Sequence, residues 1–224
     1  MRTVSTAVER RFVAVPSGQI HCAIAGDGDP ALLLHQTPRS WLEYRDVIPL
    51  LARNRRVIAM DTIGFGDSSR LPAGEDSVER WASVAIELLD ALDLDKVDLV
   101  GHHTGGYVGT EIAVAYPDRI RAAVLSGLFL HGREGRLEHA TGRAVVDDVD
   151  RRADGSHVKE LWDMRAAFYP PDPDLLERFL VDCLKAGDLA AEGHRIVARY
   201  AFEERVPLLR RPTLFLMGDA DPYA

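Results

Sequence analysis

Cysteine and long apolar runs are both scarce in this sequence. Its two cysteines, Cys22 and Cys183, are too few for a disulfide framework and have no spacing typical of a metal site. The first eleven residues lack the apolar core of a signal peptide, and no later run approaches the length of a membrane span. We therefore expect a protein of a reducing, cytoplasmic compartment with no membrane partner.

Positively charged residues are also fewer than negatively charged ones. The 224 residues include 27 Lys and Arg against 35 Asp and Glu, a formal net charge of −8 at pH 7. Such a surface repels phosphates, so we expect no nucleic-acid partner. The hydrophobic fraction of 46% is ordinary for a globular protein, and the length allows one full core. A small-molecule substrate is the expected partner, and a homodimer is left open.

Strand and helix patterns alternate along the chain. Two short strands joined at a turn come first, and helical periodicity then alternates with apolar runs typical of strands buried on both faces. This order predicts an α/β fold whose mostly parallel sheet has helices on both faces. The predicted strands are residues 11–15, 20–25, 31–34, 56–60, 97–100, 121–125 and 213–217; the predicted helices are 40–51, 77–92 and 105–115.

Residues 132–203 differ from the rest because they are charged, helical in pattern and interrupted by prolines. We predict that they form a helical cap inserted into a core made of residues 1–131 and 204–224. An insertion at the carboxyl ends of parallel strands lies over the usual position of a binding pocket. A separate helical domain is the alternative.

The segment Leu99–Gly106 carries the most specific pattern. Gly101 and Gly105 lie two residues before and two residues after a central residue, which is the spacing of a nucleophile elbow. There a strand turns sharply into a helix, and the crowded backbone leaves no room for side chains at the flanking positions. The central residue is His103, where serine, cysteine or aspartate is expected.

Four segments in this order resemble the α/β-hydrolases, in particular the branch that contains epoxide hydrolases and haloalkane dehalogenases. Residues 35–38 resemble that branch's H-G-x-P loop, and residues 61–68 resemble its D-x-x-G-x-G-x-S turn. Residues 101–106 resemble the elbow, and residues 218–222 resemble the strand end that carries the triad acid. The resemblance implies the α/β-hydrolase fold, whereas it specifies the reaction much less because this fold hosts many chemistries.

The resemblance also implies roles for particular residues. The backbone amides of Gln36 and Thr104 would form the oxyanion hole, and Asp221 would be the acid that orients a base. The sequence departs from the family at His103, at Gln36, which replaces the loop glycine, and at its end. The family's catalytic histidine would follow Ala224, so we expect the natural chain to continue.

Histidine at the elbow is chemically plausible because it tolerates positive φ better than most residues do. The helix N-terminus disfavours the imidazolium, so the ring of His103 should be neutral near pH 7. A neutral imidazole can act as a base, as a nucleophile that forms an acyl-imidazole, or as a metal ligand. It cannot form the ester intermediate of aspartate-dependent dehalogenases and epoxide hydrolases. The alternative is that His103 only fills the pocket.

Further candidates lie near the predicted pocket. His35 and His131 follow strand ends, and with His103 they could hold a metal, but no ligand spacing supports one. We therefore expect no metal and no other cofactor. Aromatic side chains at helical spacing could contact an apolar substrate, although such residues more often belong to a core. The substrate-binding candidates are His35, Trp41, His131, Trp162, Phe168 and Tyr169.

Three functions are compatible with these features. The first is hydrolysis of a small, apolar ester or another carbonyl compound, with His103 as base or nucleophile. The second is a cofactor-free lyase in which His103 abstracts a proton and no covalent intermediate forms. The third is a catalytically silent protein that binds a small ligand.

Overall fold

Seven strands form a single sheet in the computed structural model, which describes residues 7–129 and 146–219. The strand order is β1-β2-β4-β3-β5-β6-β7; β1 and β2 pair antiparallel, β2 also pairs antiparallel with β4, and the other pairs are parallel. The strands are β1 (Glu9–Val15), β2 (Gly18–Ala25), β3 (Asp29–Leu34), β4 (Arg55–Met60), β5 (Val97–His102), β6 (Ile120–Ser126) and β7 (Thr213–Leu216). The predicted α/β fold with a mostly parallel sheet is confirmed.

Strand β3 lies between β4 and β5, and its apolar run packs on both faces of the sheet. Leu32 and Leu34 belong to the larger apolar cluster on one face, whereas Ala31 and Leu33 belong to the smaller cluster on the other. Alternation of side chains along a strand produces this division. A strand covered on both faces has no polar side, which explains why this run is continuous in sequence.

The described helices follow most of the sequence patterns. They are α1 (Ile48–Leu51), α2 (Val78–Ala91), α3 (Thr104–Ala115), α4 (Ser156–Ala166), α5 (Pro173–Ala186), α6 (Leu189–Arg199) and α7 (Phe202–Arg205). Ser77 caps α2 because its side chain accepts a hydrogen bond from the Arg80 amide over 3.0 Å. Within the described ranges, no helix is both long enough and apolar enough to cross a membrane.

The helix predicted over residues 40–51 is wrong as a continuous element. The chain instead forms a 3-10 turn at Trp41–Tyr44 and then the short helix α1. The Ser40 side chain accepts from the Leu42 amide, which caps the first turn. Pro49 lies in the first turn of α1 and has no amide proton, so it suits a helix start and cannot continue an earlier helix.

Helices α4 to α7 lie between β6 and β7 in the chain and carry the predicted cap. Asp182 of α5 accepts hydrogen bonds from Arg39 Nε over 3.1 Å and from Ser40 Oγ over 2.7 Å, which fixes α5 to the loop after β3. Arg205 of α7 forms two 2.8 Å bonds to Glu111 of α3. The domain limits at residues 131 and 203 stay a prediction, and the first of them lies outside the described residues.

Candidate active site

The turn between β5 and α3 has the geometry of a nucleophile elbow. His103 adopts φ 45° and ψ −116°, a strained conformation for a residue with a side chain. Its amide donates to the carbonyl of Ser126 over 2.9 Å, which ties the turn to the end of β6. A Cβ on Gly101 would lie 2.4 Å from Gly105 O, and one on Gly105 would lie 2.0 Å from Leu34 O. The two glycines are therefore required by backbone packing.

The imidazole of His103 is half-buried and lines a cavity of about 110 Å³. The ring lies against Gly127, where a Cβ would come within 2.8 Å of both Cδ2 and Nε2. The ring of Phe129 meets it edge-on with centroids 5.7 Å apart, and that of His102 does so at 4.5 Å. The imidazole is thus held in one place by its neighbours and borders open space.

Apolar side chains form much of the cavity wall. Tyr107 on α3 and Phe129 after β6 contribute from the core, while Val197 on α6 and Phe202 on α7 contribute from the helices between β6 and β7. A small apolar cavity with a few polar groups is the usual form of a small-molecule site. The engineered apolar cavity of T4 lysozyme, of roughly 150 Å³, holds benzene, so this cavity fits a comparably small group.

The expected oxyanion hole is corrected at one of its two residues. The backbone amide of Gln36 donates to Glu43 Oε2 over 2.8 Å, so it is not available to a substrate. Thr104 lines the cavity, and its amide in the first turn of α3 has no acceptor within the helix, while its role in an oxyanion hole stays a prediction. Thr37, which sequence reasoning missed, also lines the cavity, and its buried hydroxyl has no hydrogen-bond partner.

Glu43 connects the Gln36 loop to the elbow strand. One carboxylate oxygen accepts from the Gln36 amide, and the other forms a short contact with Nδ1 of His102. Burial alone would raise the pKa of Glu43, but the hydrogen bond and charge of His102, together with the Gln36 amide, lower this pKa below its usual value of 4.5. Glu43 is therefore ionised at neutral pH and stabilises the loop through charge-assisted hydrogen bonds.

We predict that Glu43→Gln lowers the free energy of unfolding at pH 7 by about 2 kcal/mol, because a buried charge-assisted bond is lost. The folded-state pKa lies below the unfolded value, so the carboxylate stabilises the fold above pH 4.5 and loses this effect as the pH falls further. Urea unfolding at several pH values should show that the difference in free energy of unfolding between wild type and Glu43→Gln becomes smaller below that pH. Glu9→Gln, at an exposed pair with Arg11, is the control. Parallel curves down to pH 3 would contradict this role of Glu43.

Two substrate-binding candidates on the core occupy other positions. His35 is buried: its Nδ1 bonds Gln36 O over 2.8 Å, and its Nε2 accepts from the Thr62 amide over 2.9 Å. Both ring nitrogens thus bond backbone groups, one after β3 and one after β4, and His35 does not line the cavity. Trp41 instead packs near His21 beneath the guanidinium of Arg10.

The three aromatic candidates of the predicted cap do not line this cavity. Phe168 is 66% exposed, and Trp162 on α4 does not line the cavity with His103. Tyr169 comes nearer, because its hydroxyl accepts from the side-chain amide of Gln36 over 3.2 Å, although it too is absent from the lining. Helical spacing predicted these aromatics, but it cannot tell which face of a cap helix meets the core. His131 and Asp221 lie outside the described residues.

Among the described residues, His21, Asp61 and Asp67 are the group whose spacing could hold a metal ion. Their atoms already have partners. Arg10 donates from Nε to His21 Nε2 and from its terminal nitrogen to Asp67, and Lys185 also contacts Asp67. Asp61 accepts from Nδ1 of His21 and from the amides of Trp41 and Asp67. The cluster is thus a hydrogen-bonded network, and it includes no residue of the cavity.

A family model described as "alpha/beta hydrolase fold" matches residues 29–224. The chain belongs to the α/β-hydrolase family. Among curated relatives, 2-hydroxy-6-oxo-2,4-heptadienoate hydrolase of Pseudomonas putida is 42% identical over 105 residues, 46% of this chain and 38% of that protein. The soluble epoxide hydrolase of a Corynebacterium species is 40% identical over 105 residues, 47% of this chain and 36% of that protein.

Solved α/β-hydrolases share the fold over nearly the whole chain. An epoxide hydrolase from an endophytic Streptomyces superimposes with a TM-score of 0.76 at 21% identity, covering 95% of this chain and 80% of that one. At this identity the likeness shows the fold alone. The curated matches cover well under half of those relatives' own length.

Proposed function

We propose that this α/β-hydrolase cleaves a small, apolar ester or a related carbonyl compound by hydrolysis, with His103 as general base. The observation that supports this most is the position of the His103 imidazole at the elbow, bordering a cavity that Thr104 and Thr37 also line. A base, two potential hydrogen-bond donors and an apolar enclosure are what hydrolysis of a carbonyl compound needs.

The proposed reaction has two steps. His103 takes a proton from a water molecule while the hydroxide adds to the substrate carbonyl, and the amide of Thr104 and the hydroxyl of Thr37 donate to the resulting oxyanion. The positive end of α3 stabilises the same charge. The tetrahedral intermediate then breaks its bond to the leaving oxygen, which receives a proton, so an acid and an alcohol are released. The role of Asp221 as an orienting acid stays a prediction.

The names of the relatives support the carbonyl part of this proposal. Their names describe hydrolases of a 2-hydroxy-6-oxo-dienoate and of 2-hydroxymuconate semialdehyde, both carbonyl compounds, as well as an epoxide hydrolase and a fluoroacetate dehalogenase. Epoxide or halide displacement through an enzyme ester needs a carboxylate at the elbow, and this chain has His103 there. Of the reactions that these names describe, an imidazole can catalyse hydrolysis at a carbonyl group.

We predict that p-nitrophenyl acetate and propionate are turned over, and that kcat/KM falls at least tenfold for the octanoate because the cavity admits only a short acyl group. Thr37→Val should lower kcat about tenfold with little change in KM, because this hydroxyl helps to bind the oxyanion. Thr213→Val, on β7 and outside this cavity, is the matched control. Equal rates for all chain lengths would contradict the assignment of this cavity as the acyl site.

An acyl or phosphonate probe separates the alternatives. Under the base mechanism, mass spectrometry finds no adduct on His103, whereas an adduct there would assign His103 as the nucleophile. Ligand-induced thermal shifts without turnover on ester, epoxide and halide panels would instead favour a silent binding protein. Carbon–carbon cleavage without ester turnover would favour the lyase.

A further inference from the structure

A second histidine lines the same cavity from the cap side. His194 on α6 borders the cavity together with His103, although the two residues are 91 positions apart in the chain. Gly193, just before it, lets α6 approach the core closely, because a Cβ there would lie 2.7 Å from Thr37 Cγ2 and 3.1 Å from Phe65 Cζ. The close approach brings His194 to the cavity, and no local sequence motif predicts this position.

A buried carboxylate supports this histidine. Nε2 of His194 lies 3.3 Å from Oδ2 of Asp147, which is 4% exposed. Arg165 of α4 holds the same carboxylate with Nε at 2.9 Å and with a short contact from its terminal nitrogen. Asp147 also adopts φ 72°, a left-handed conformation that aspartate adopts more readily than most residues with a side chain.

The carboxylate determines which ring nitrogen can exchange a proton. Burial would raise the pKa of Asp147, but the hydrogen bonds from His194 and Arg165 lower it below 3.8, so the group is ionised and can only accept. Nε2 of His194 therefore carries the proton that Asp147 accepts, and Nδ1 is the atom left for proton exchange. An aspartate behind an imidazole fixes its tautomer and orientation in the same way in serine hydrolases.

We propose that His194 is the general acid of this site, with Asp147 and Arg165 as its positioning residues; this role rests on the proposed ester hydrolysis. In the step, His103 removes the water proton as the new carbon–oxygen bond forms. As the bond to the leaving oxygen breaks, Nδ1 of the His194 imidazolium gives its proton to that oxygen. Solvent then takes the proton from His103 and returns one to His194, so the net change is the addition of one water.

The leaving group provides the test. Ethoxide needs a proton in order to leave, whereas p-nitrophenolate leaves without one, so removal of a general acid affects only the alkyl ester. We expect His194→Gln to lower kcat for ethyl acetate about 100-fold and to leave p-nitrophenyl acetate within about twofold of wild type. Asp147→Asn should shift the same ratio in the same direction by a smaller factor.

His157→Gln is the matched control, since His157 lies on α4, outside this cavity, and should leave both rates unchanged. Thermal melting confirms that each variant is folded. Equal loss on both esters, or no loss on either, would overturn the role of His194 while leaving hydrolysis by His103 intact. Absence of ester turnover by the wild type would overturn the proposed function itself.

Discussion

His103→Ala is expected to lose at least about 100-fold in kcat on p-nitrophenyl acetate while keeping its fold. General-base catalysis by a positioned side chain contributes about 10² to 10⁴-fold, and His103 is the residue assigned this role. The loss should fall on kcat rather than on KM, because the imidazole acts in the transition state and the cavity walls remain. Stopped assays at pH 7, with substrate held well above KM, measure it.

The control for this variant is His35→Asn. His35 is a second histidine that follows a strand of the sheet, but both of its ring nitrogens bond backbone groups, so its loss should weaken the fold more than the chemistry. Alanine at position 103 also relieves little of the backbone strain, because φ stays positive at the elbow. Equal activity of His103→Ala and wild type would remove His103 from the reaction.

Asp182→Ala should be the most destabilising of the charge substitutions. It leaves the guanidinium of Arg39, which is 2% exposed, without its carboxylate partner, and breaking a buried pair in this way costs about 3 to 5 kcal/mol. The double variant Arg39→Met, Asp182→Leu removes both charges and should recover most of the loss, because apolar replacement of a whole pair is often neutral. Urea unfolding of the single and double variants measures both effects.

A second pair between α5 and the core serves as the control. Arg178 lies 3.6 Å from Asp46, whose side chain is 71% exposed, so Asp46→Ala should change the free energy of unfolding by less than about 0.5 kcal/mol. If Asp182→Ala were as mild as Asp46→Ala, the attachment of α5 to the loop after β3 would not depend on this buried pair.

Much of the core could be predicted from the sequence because its signals are local. The apolar runs of β3, β4 and β5 can be recognised from their length and from the turns that flank them. The elbow can be recognised from the spacing of Gly101 and Gly105, which the backbone contacts of those two residues require. The break at residues 45–47 cannot be read from periodicity, because helical periodicity continues across it, while Pro49 and the Ser40 cap decide the local structure.

The site was harder to predict because its members come from distant segments. The sequence points to the Gln36 amide for the oxyanion hole, and only the folded structure shows that Glu43 accepts from that amide. His194 and Asp147 are separated by 47 positions and meet only through the packing of the cap. Helical spacing points to the aromatic candidates Trp162 and Phe168. It does not determine which face of α4 packs against the core, or that Phe168, just after α4, is exposed.

Chemical rescue tests the central claim most directly, namely that an imidazole at the elbow drives hydrolysis. His103→Ala leaves a space beside Gly127 and Phe129 that matches the lost ring. Free imidazole should restore turnover of p-nitrophenyl acetate by this variant, with saturation as the space fills, and should have no such effect on the wild type. A rate that rises only linearly and equally in the variant, the wild type and buffer would contradict the claim.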